Sequence, residues 1–379
     1  MRRATFHLAP VLGLASLLLF SCTSAGESAG HTPTIRREAL STGASAPAAT
    51  FRLDSLLART SDLLPSAEAG VAIGVIDGGD SLLAFVGNSD FDAATLFEFA
   101  SITKVVTSAL LVELAAEGVV SLDESINSYL GPDVRESKWD GVSLLRLATH
   151  TAGLSGLPPN LRPAFVWLRG QADDPFAAYD RSDLEAGMKR ARADGGETWR
   201  YSNFGYAVLG MVLENASGSS YRELVWTRVL SPLGMVGATI SGWSSAQIAP
   251  PLNARGRPGS NWSFDAMAPI GALRGTIEDG LLLLQASMDA CESDDPLSRA
   301  LCRAQQTTGV RAGALGEMGI GWMRSERDGV DVVWHNGGTG GYSTFLGFAP
   351  AKERGVVILS NVSGLREIDP LAMELLAAP

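Results

Sequence analysis

Segments typical of β-strands lie at the two ends of this 379-residue chain, and segments typical of helices fill its middle. Residues 71–76 and 82–86 flank Asp77-Gly-Gly-Asp80 and predict a β-hairpin. Near the other end, further apolar segments predict four strands: 319–324, 330–334, 342–348 and 356–359. The order strand, helix, strand predicts an α/β sheet domain with an α-helical insertion over about 105–310.

Helical periodicity is clearest after Ser101, where residues 105–114 repeat apolar positions as a helix does and end near Gly118. The chain is 46% hydrophobic, which is enough for one large domain or two subdomains. Further helices are predicted over 143–149, 204–214, 221–229, 276–290 and, closing the chain, 366–378.

The first 22 residues are typical of an export signal. A basic start precedes an apolar run over 8–20, which is shorter than the about 20 residues of a membrane span. Residues 19–22, Leu-Phe-Ser-Cys, resemble a bacterial lipoprotein signal and predict lipidation of Cys22; the alternative is an ordinary cleaved signal. We therefore expect an exported, lipid-anchored protein on the periplasmic face of a bacterial membrane.

Composition separates a tether from a globular domain. Residues 23–50 are rich in Ser, Thr, Ala, Gly and Pro and predict a flexible tether. Residues 51–379 have the composition of a folded domain. A net charge of −11 and a pI of about 4.9 give no basic footprint, so nucleic-acid binding is not expected.

Cys291 and Cys302 are the two cysteines beyond the signal. An oxidising compartment favours a disulfide between them, and the alternative is a pair of buried thiols. No metal or other cofactor is expected, because no H-E-x-x-H or cysteine pair accompanies His150 and His335. The nucleophile-elbow pattern around Ser28 lies in the tether, without a flanking strand and helix, and is discarded.

The pair Ser101-x-x-Lys104 is the first chemical motif. At a helix start this spacing puts both side chains on one face, and the positive end of the helix dipole favours the serine. Lysine can lose its proton and act as a base, which arginine cannot do. The alternative is an exposed helix start with a solvated lysine. Lysine is rare among the 30 cationic residues of this chain, which has only Lys104, Lys138, Lys189 and Lys352.

Tyr201-Ser-Asn203 is the second motif. A tyrosine near a lysine can ionise and serve as a general base, and an asparagine can hydrogen-bond a substrate amide. The alternative is a loop tyrosine followed by an asparagine helix cap.

The third motif is His335-Asn-Gly-Gly-Thr-Gly-Gly341, directly after the predicted strand 330–334. Glycines at a strand edge let a substrate backbone approach closely, and the alternative is a simple turn between strands. A phosphate-binding loop is excluded, because a strand and not a helix follows.

Together the three motifs resemble the penicillin-recognising serine hydrolases: class C β-lactamases, D-alanyl-D-alanine carboxypeptidases and related esterases. Residues 138–153, 232–235 and 319–322 also resemble this family, and the resemblance covers about 51–379. It implies an α+β fold, in which helices flank an antiparallel sheet and an all-helical subdomain borders the active site.

The resemblance also implies roles. Ser101 would be the nucleophile, Lys104 and Tyr201 would share the general acid/base role, and the backbone N–H groups of Ser101 and Gly338 would form the oxyanion hole. His150 is expected to position a loop at the rim of the site. Substrate contacts would come from Asn203, His335, Gly337, Gly338 and Asn160.

His335 stands where class C β-lactamases usually carry lysine. A histidine with an ordinary pKa near 6.5 is mostly neutral at pH 7, which argues against efficient β-lactam hydrolysis. If His335 acted as a cation toward a substrate carboxylate, acylation by penicillin would strengthen below about pH 6.5.

The function expected from the motifs and the resemblance is a serine hydrolase that forms an acyl-enzyme on Ser101. The acyl donor would be a β-lactam, a D-Ala-D-Ala-type amide or a small ester. The alternative is a sensor that binds penicillin or peptidoglycan and acylates without turnover. The expected partners are thus a small-molecule or peptidoglycan-like substrate and, through Cys22, a membrane; no oligomeric state is predicted.

Overall fold

An antiparallel sheet runs through the part of the chain that the computed structural model describes, residues 34–39, 46–161, 173–193, 198–241 and 247–379. The strands in chain order are β1 (Thr34–Ala39), β2 (Gly70–Asp77), β3 (Asp80–Gly87), β4 (Phe97–Glu98), β5 (Arg274–Gly275), β6 (Val310–Arg311), β7 (Glu317–Met318), β8 (Met323–Arg327), β9 (Val330–Gly338), β10 (Ser343–Ala349) and β11 (Arg354–Ser360). Within these ranges, nine strands form the sheet in the order β1-β3-β2-β11-β10-β9-β8-β7-β6, and β4 pairs with β5 alone.

The two ends of the chain meet in the middle of this sheet. Strand β2 pairs antiparallel with β11, with Ile73 opposite Ile358, and β3 completes the predicted hairpin. Strand β11 in turn pairs with β10, and β10 with β9. All neighbours in the sheet are antiparallel, which confirms the α+β class rather than an α/β sheet with parallel strands.

Helices occupy the middle of the chain and both faces of the sheet. Most of the helices lie between residues 103 and 305, close to the stretch of about 105–310 that was expected to be helical. In chain order the helices are α1 (Ala46–Asp62), α2 (Thr103–Ala116), α3 (Leu144–Ala148), α4 (Arg181–Arg190), α5 (Asn203–Ser217), α6 (Tyr221–Val225), α7 (Ala268–Gly271), α8 (Ile277–Asp289), α9 (Pro296–Gln305) and α10 (Ile368–Ala377).

The alternation of side chains along β2 and β3 divides the core into two layers. Ile76 and Phe85 point toward the layer that the middle helices cover. Ile73 points to the opposite face, where Leu57 of α1 and Leu371 of α10 cover the sheet. Burying each such side chain contributes about 1.5–3 kcal/mol, so the central strands are stabilised from both sides.

Two parts of the predicted tether are folded. Strand β1 pairs with β3 along its length, from Thr34 opposite Gly87 to Ala39 opposite Leu82. Helix α1 begins at Ala46. The tether prediction is therefore wrong for these residues, because an edge strand held by backbone hydrogen bonds has no distinctive composition. The rest of 23–50, the signal over 1–22 and the lipidation of Cys22 lie outside the described residues and stay predictions.

The predicted strand over 319–324 is also wrong in its bounds. Strands β7 and β8 are separate, and the residues between them form a turn. Gly321 in this turn has a φ of +76°, and a Cβ there would lie 2.2 Å from Ser108 Oγ and 2.8 Å from the carbonyl oxygen of Lys104. Close packing on α2 therefore interrupts the strand.

A disulfide joins Cys291 and Cys302, as the cysteine pattern predicted. It connects the end of α8 to α9, and α9 packs against α2. No helix in the described ranges has both the length and the apolar character needed to span a bilayer.

Candidate active site

Ser101 lies on a single 3₁₀ turn, Ala100–Ile102, directly before α2. Ala100 has a φ of +51°, a left-handed conformation that costs about 1–2 kcal/mol for a residue with a Cβ. Two hydroxyl groups hold the turn: Thr103 Oγ1 donates to the Ala100 carbonyl at 2.7 Å, and Thr344 Oγ1 of β10 donates to the Phe99 carbonyl at 3.0 Å. The sheet and α2 together thus fix the backbone that presents the serine hydroxyl.

Lys104 lies in the first turn of α2 and is fully buried. Its Nζ donates hydrogen bonds to Ser101 Oγ at 3.1 Å and to the Ile270 carbonyl at 2.8 Å. Burial lowers the pKa of Lys104 well below its ordinary value, because a buried ammonium group loses its hydration. The uncharged amine has a lone pair and can take the proton of the Ser101 hydroxyl.

The ring of Tyr201 lies close to the amine of Lys104. The Lys104 Nζ is 5.1 Å from the centre of its ring, and its hydroxyl shares a hydrogen bond with Ser101. Burial raises the pKa of Tyr201 and the bond to Ser101 lowers it only partly. Tyr201 therefore keeps its proton in the free protein, which suits a proton donor and not the ionised base that the sequence suggested.

Asn203 is the first residue of α5, but it does not cap the helix. Ser202 is the cap, and its hydroxyl accepts a hydrogen bond from the Gly205 N–H at 2.9 Å. The Asn203 backbone N–H donates to the Gly156 carbonyl at 2.9 Å. Its side-chain Oδ1 is buried and has no hydrogen-bond partner among the described residues. That oxygen is free to accept a hydrogen bond from a substrate amide.

His150 supports the segment that carries Tyr201 and Asn203. It is buried, has a φ of +61°, and its Nδ1 accepts a hydrogen bond from the Ser202 N–H at 3.1 Å. Its ring centre lies 4.4 Å from that of Tyr201. Burial, followed by Lys104 and His335, lowers the pKa of His150 well below its ordinary value. These contacts make it a neutral positioning residue, in line with the expected role.

His335 lies on β9 with its side chain buried. Its Nδ1 shares a hydrogen bond with the Asn336 carbonyl at 2.6 Å. Burial, and next the nearby Lys104, lower the pKa of His335 to about 3. The imidazole is therefore neutral across the physiological range, and the hypothesis that it attracts a carboxylate as a cation loses its support.

The glycines after His335 bring β9 against the nucleophile turn. A Cβ on Gly337 would lie 2.4 Å from Thr344 Oγ1 and 2.6 Å from the Phe99 carbonyl oxygen, so only glycine fits there. Gly338 is exposed, and a Cβ there would meet no atom closer than 3.8 Å. The open edge at Gly338 thus lies beside Ser101, while the assignment of their two N–H groups to an oxyanion hole stays a prediction.

Asn160 does not take the predicted role of a substrate contact. Its side-chain amide donates to the Asp183 carbonyl at 2.8 Å, and its Oδ1 accepts a hydrogen bond from the Tyr179 hydroxyl at 2.8 Å. Both ends of the amide therefore serve to anchor the N-terminal part of α4. The family resemblance that suggested Asn160 carries no information about these partners.

Three parts of the site were missed from sequence. The Tyr206 ring lies 5.5 Å from Lys104 Nζ, and the Ile270 carbonyl accepts from the same atom. Glu98, which lies three residues before Ser101, forms a buried ion pair with Arg274. The one available signal was the charged residue Glu98 within the apolar run that leads to the serine. Among the described residues, no three His, Cys, Asp or Glu side chains cluster as a metal site would require.

Comparisons with known proteins agree with this geometry. The family model described as Beta-lactamase matches residues 62–378. The D-alanyl-D-alanine-carboxypeptidase/endopeptidase AmpH of Escherichia coli (strain K12) is 27% identical over 322 residues, which are 79% of this chain and 81% of that protein. A β-lactamase of the same strain is 25% identical over 341 residues, 77% and 84% of the two chains.

A solved structure points to the same fold. It is a class C β-lactamase mutant that matches with a TM-score of 0.73 at 21% identity, over 87% of this chain and 97% of its own. The α+β fold expected from the three motifs is thereby confirmed as the fold of class C β-lactamases.

The buried amine of Lys104 should leave a mark on stability. Between the lowered pKa of folded Lys104 and the ordinary lysine pKa of about 10.4, the unfolded chain carries a proton on Lys104 that the folded chain lacks, so this residue makes the free energy of unfolding rise with pH. Lys104→Met removes that dependence. The difference in unfolding free energy, variant minus parent, should fall as the pH rises from 7 to 9, as measured by urea denaturation.

Lys189→Met is the matched control, because Lys189 is exposed on α4. Its side chain is exposed to water, so the difference in unfolding free energy between Lys189→Met and the parent should not change with pH. Parallel pH profiles for Lys104→Met and the parent would show that Lys104 is charged in the folded protein.

Proposed function

The chain belongs to the β-lactamase family and is a serine hydrolase, and we propose that it works through an acyl-enzyme on Ser101. The observation that carries the proposal is the 3.1 Å contact between Lys104 Nζ and Ser101 Oγ, at a site where burial keeps the amine uncharged. The substrate would be a β-lactam, a D-Ala-D-Ala-type amide or a small ester.

In the acylation step, Ser101 Oγ attacks the carbonyl carbon of the substrate while its proton moves to Lys104 Nζ. The ammonium group that forms stays hydrogen-bonded to the Ile270 carbonyl and lies over the rings of Tyr201 and Tyr206. Cation–π contact and the carbonyl stabilise the charge as it develops. These contacts reduce the free-energy cost of forming the ammonium group in the buried site during proton transfer.

Tyr201 completes the step as the acid. Its protonated hydroxyl donates a proton to the departing nitrogen or oxygen as the bond from the carbonyl carbon breaks, and Lys104 returns a proton to Tyr201. A water molecule then attacks the acyl-enzyme, gives its proton to the Lys104/Tyr201 pair and releases Ser101 with its proton restored. No group other than the substrate, water and these side chains is needed to balance the atoms.

The neutral His335 favours a substrate that does not depend on a positive charge at this position. The relatives include proteins described as β-lactamases and as a D-alanyl-D-alanine carboxypeptidase/endopeptidase, which supports amides and β-lactams as candidates. Small esters stay among the candidate substrates, because an uncharged His335 does not require a carboxylate on the substrate. Export and lipid attachment at Cys22 remain part of the proposal, supported by the basic start, the short apolar run and the residues around Cys22.

Ser101→Ala should abolish covalent labelling by a fluorescent penicillin or a fluorophosphonate, because no other serine has the Lys104 amine beside it in the described site. Ser89→Ala, an exposed serine on a loop, is the control that should keep labelling. Labelling that survives Ser101→Ala would refute the proposal. Nitrocefin, a D-Ala-D-Ala peptide and p-nitrophenyl butyrate, assayed together, then identify the substrate class, and labelling of Ser101 without turnover of any of them would favour the sensor.

Protonation of His335 should not change the rate of acylation between pH 5 and pH 8. The rate of acylation by benzylpenicillin should follow the same pH profile in the parent and in His335→Gln, within about a factor of two, since neither side chain is charged there. A parent rate that rises below pH 6.5, and a His335→Gln rate that does not, would restore the cationic role.

Lipidation of Cys22 can be tested in a bacterial host. The full chain should incorporate radiolabelled palmitate and sediment with membranes, and Cys22→Ser should lose the label. Equal labelling, or no labelling, of the two proteins would remove the lipid anchor from the proposal.

A further inference from the structure

A buried ion pair lies three residues before the nucleophile. Glu98 of β4 stands directly opposite Arg274 of β5, and Arg274 NH2 donates to Glu98 Oε1 at 2.9 Å, with the two side chains 3% or less exposed. Burial raises the pKa of Glu98, while the Arg274 charge opposes the shift. The desolvation of such a pair offsets most of its attraction, so stability alone is a weak reason for its presence.

The pair holds the backbone of one residue, Trp262. The Trp262 N–H donates to Glu98 Oε1 at 2.9 Å, and Arg274 NH2 also donates to the Trp262 carbonyl. Both backbone polar groups of Trp262 are therefore bound by the pair. Since Glu98 continues directly into the turn that carries Ser101, the position of Trp262 is fixed relative to the nucleophile.

Trp262 belongs to an aromatic wall that consists of Phe176, Trp262 and Phe264. The Phe176 ring meets Trp262 edge-on at 5.3 Å and stacks on Phe264 at 5.5 Å between centres. Phe176 is buried, whereas Trp262 and Phe264 are partly exposed. The Trp262 Nε1 donates to the Asp173 carbonyl at 3.1 Å, which fixes the orientation of the indole.

The aromatic wall borders the reaction centre on two sides. A Cβ on Gly340, just after the glycine edge of β9, would lie 2.6 Å from Trp262 Nε1. A Cβ on Gly271 would lie 3.2 Å from Phe264 Cζ and 3.7 Å from the carbonyl carbon of Ala100. The wall thus extends from the glycine edge to the residue that precedes Ser101, within reach of an acyl group bound there.

We propose that the Glu98–Arg274 pair is a positioning device that fixes the aromatic wall beside Ser101, so that the enzyme prefers acyl groups with an aromatic or bulky apolar side chain. The inference rests on the proposed acyl-enzyme at Ser101 and adds the class of acyl group to it. A phenyl ring packed against the wall is expected to raise kcat/KM by about 10- to 100-fold over a methyl group.

Two esters with the same leaving group test this selectivity. The value of kcat/KM for p-nitrophenyl phenylacetate is divided by that for p-nitrophenyl acetate. This ratio is then divided by the ratio of the rate constants with which hydroxide hydrolyses the two esters, which removes the difference in their chemical reactivity. The parent protein should give a corrected ratio of about 10 or more. A corrected ratio near one in the parent would overturn the proposal.

Four variants separate the role of the aromatic wall from that of the ion pair that holds it. Trp262→Ala removes part of the wall. Arg274→Lys keeps the charge but loses the planar guanidinium group whose Nη2 donates to both Glu98 Oε1 and the Trp262 carbonyl. Both variants should lower the corrected ratio toward one. Glu98→Gln keeps an acceptor for the Trp262 N–H and should retain more selectivity than Glu98→Ala. A ratio unchanged in Arg274→Lys would overturn the role of the pair.

The matched control is Arg354→Lys, which disturbs a partly buried ion pair, Arg354 with Asp77, between β11 and β2. A merely structural effect would lower the rates of both esters together, and Arg354→Lys should behave in that way, with the ratio unchanged. If Arg274→Lys fails to fold, the corrected ratios of Trp262→Ala, whose side chain is partly exposed in the parent, and of Glu98→Gln test the proposal instead. Failure of the acyl-enzyme proposal would appear separately, as absence of Ser101 labelling in the parent.

Discussion

The burial of Lys104 beside Ser101 is the physical constraint on which the rest of the site depends. An ammonium group without water is strongly disfavoured, so the lysine rests as an uncharged amine whose lone pair can accept the serine proton. The Ile270 carbonyl and two tyrosine rings surround the nitrogen and contribute no opposite charge that would keep it protonated. The same burial raises the pKa of Tyr201, which fixes its role as the partner that keeps a proton.

Two left-handed residues show how the fold maintains this arrangement at a cost in stability. Ala100 directly precedes Ser101, and His150 supports the segment of Tyr201, and each has a positive φ that is unfavourable for a residue with a Cβ. Hydrogen bonds to Thr103, Thr344 and Ser202 hold the two positions in place. The large antiparallel sheet supplies Thr344 and the glycine edge, so the strain is carried by the most buried part of the molecule.

Much of this could be predicted from the sequence, and the failures have physical reasons. The hairpin, the C-terminal strands and the Ser101/Lys104 pair depend on local patterns, and the sequence carries those patterns directly. Strand β1 depends on pairing with β3, Asn160 is engaged by Tyr179 and Asp183, and Trp262 is held by an ion pair; these partners are all distant in sequence or lack a local pattern. The protonation states of Tyr201 and His335 depend on how deeply their side chains are buried, and a sequence motif does not show burial.

The neutrality of the resting site bears on what it can recognise. Burial lowers the pKa of Lys104 and of His335, and Lys104 also opposes a positive charge on His335. In the proposed acylation step, a positive charge would form on Lys104 when Ser101 gives up its proton, while a negative charge would form on the carbonyl oxygen of the substrate. A site of this kind favours the transition state over an anionic ground state. Selection among substrates then falls to the apolar surface beside Ser101, where Trp262 and Phe264 offer contact area but no charge.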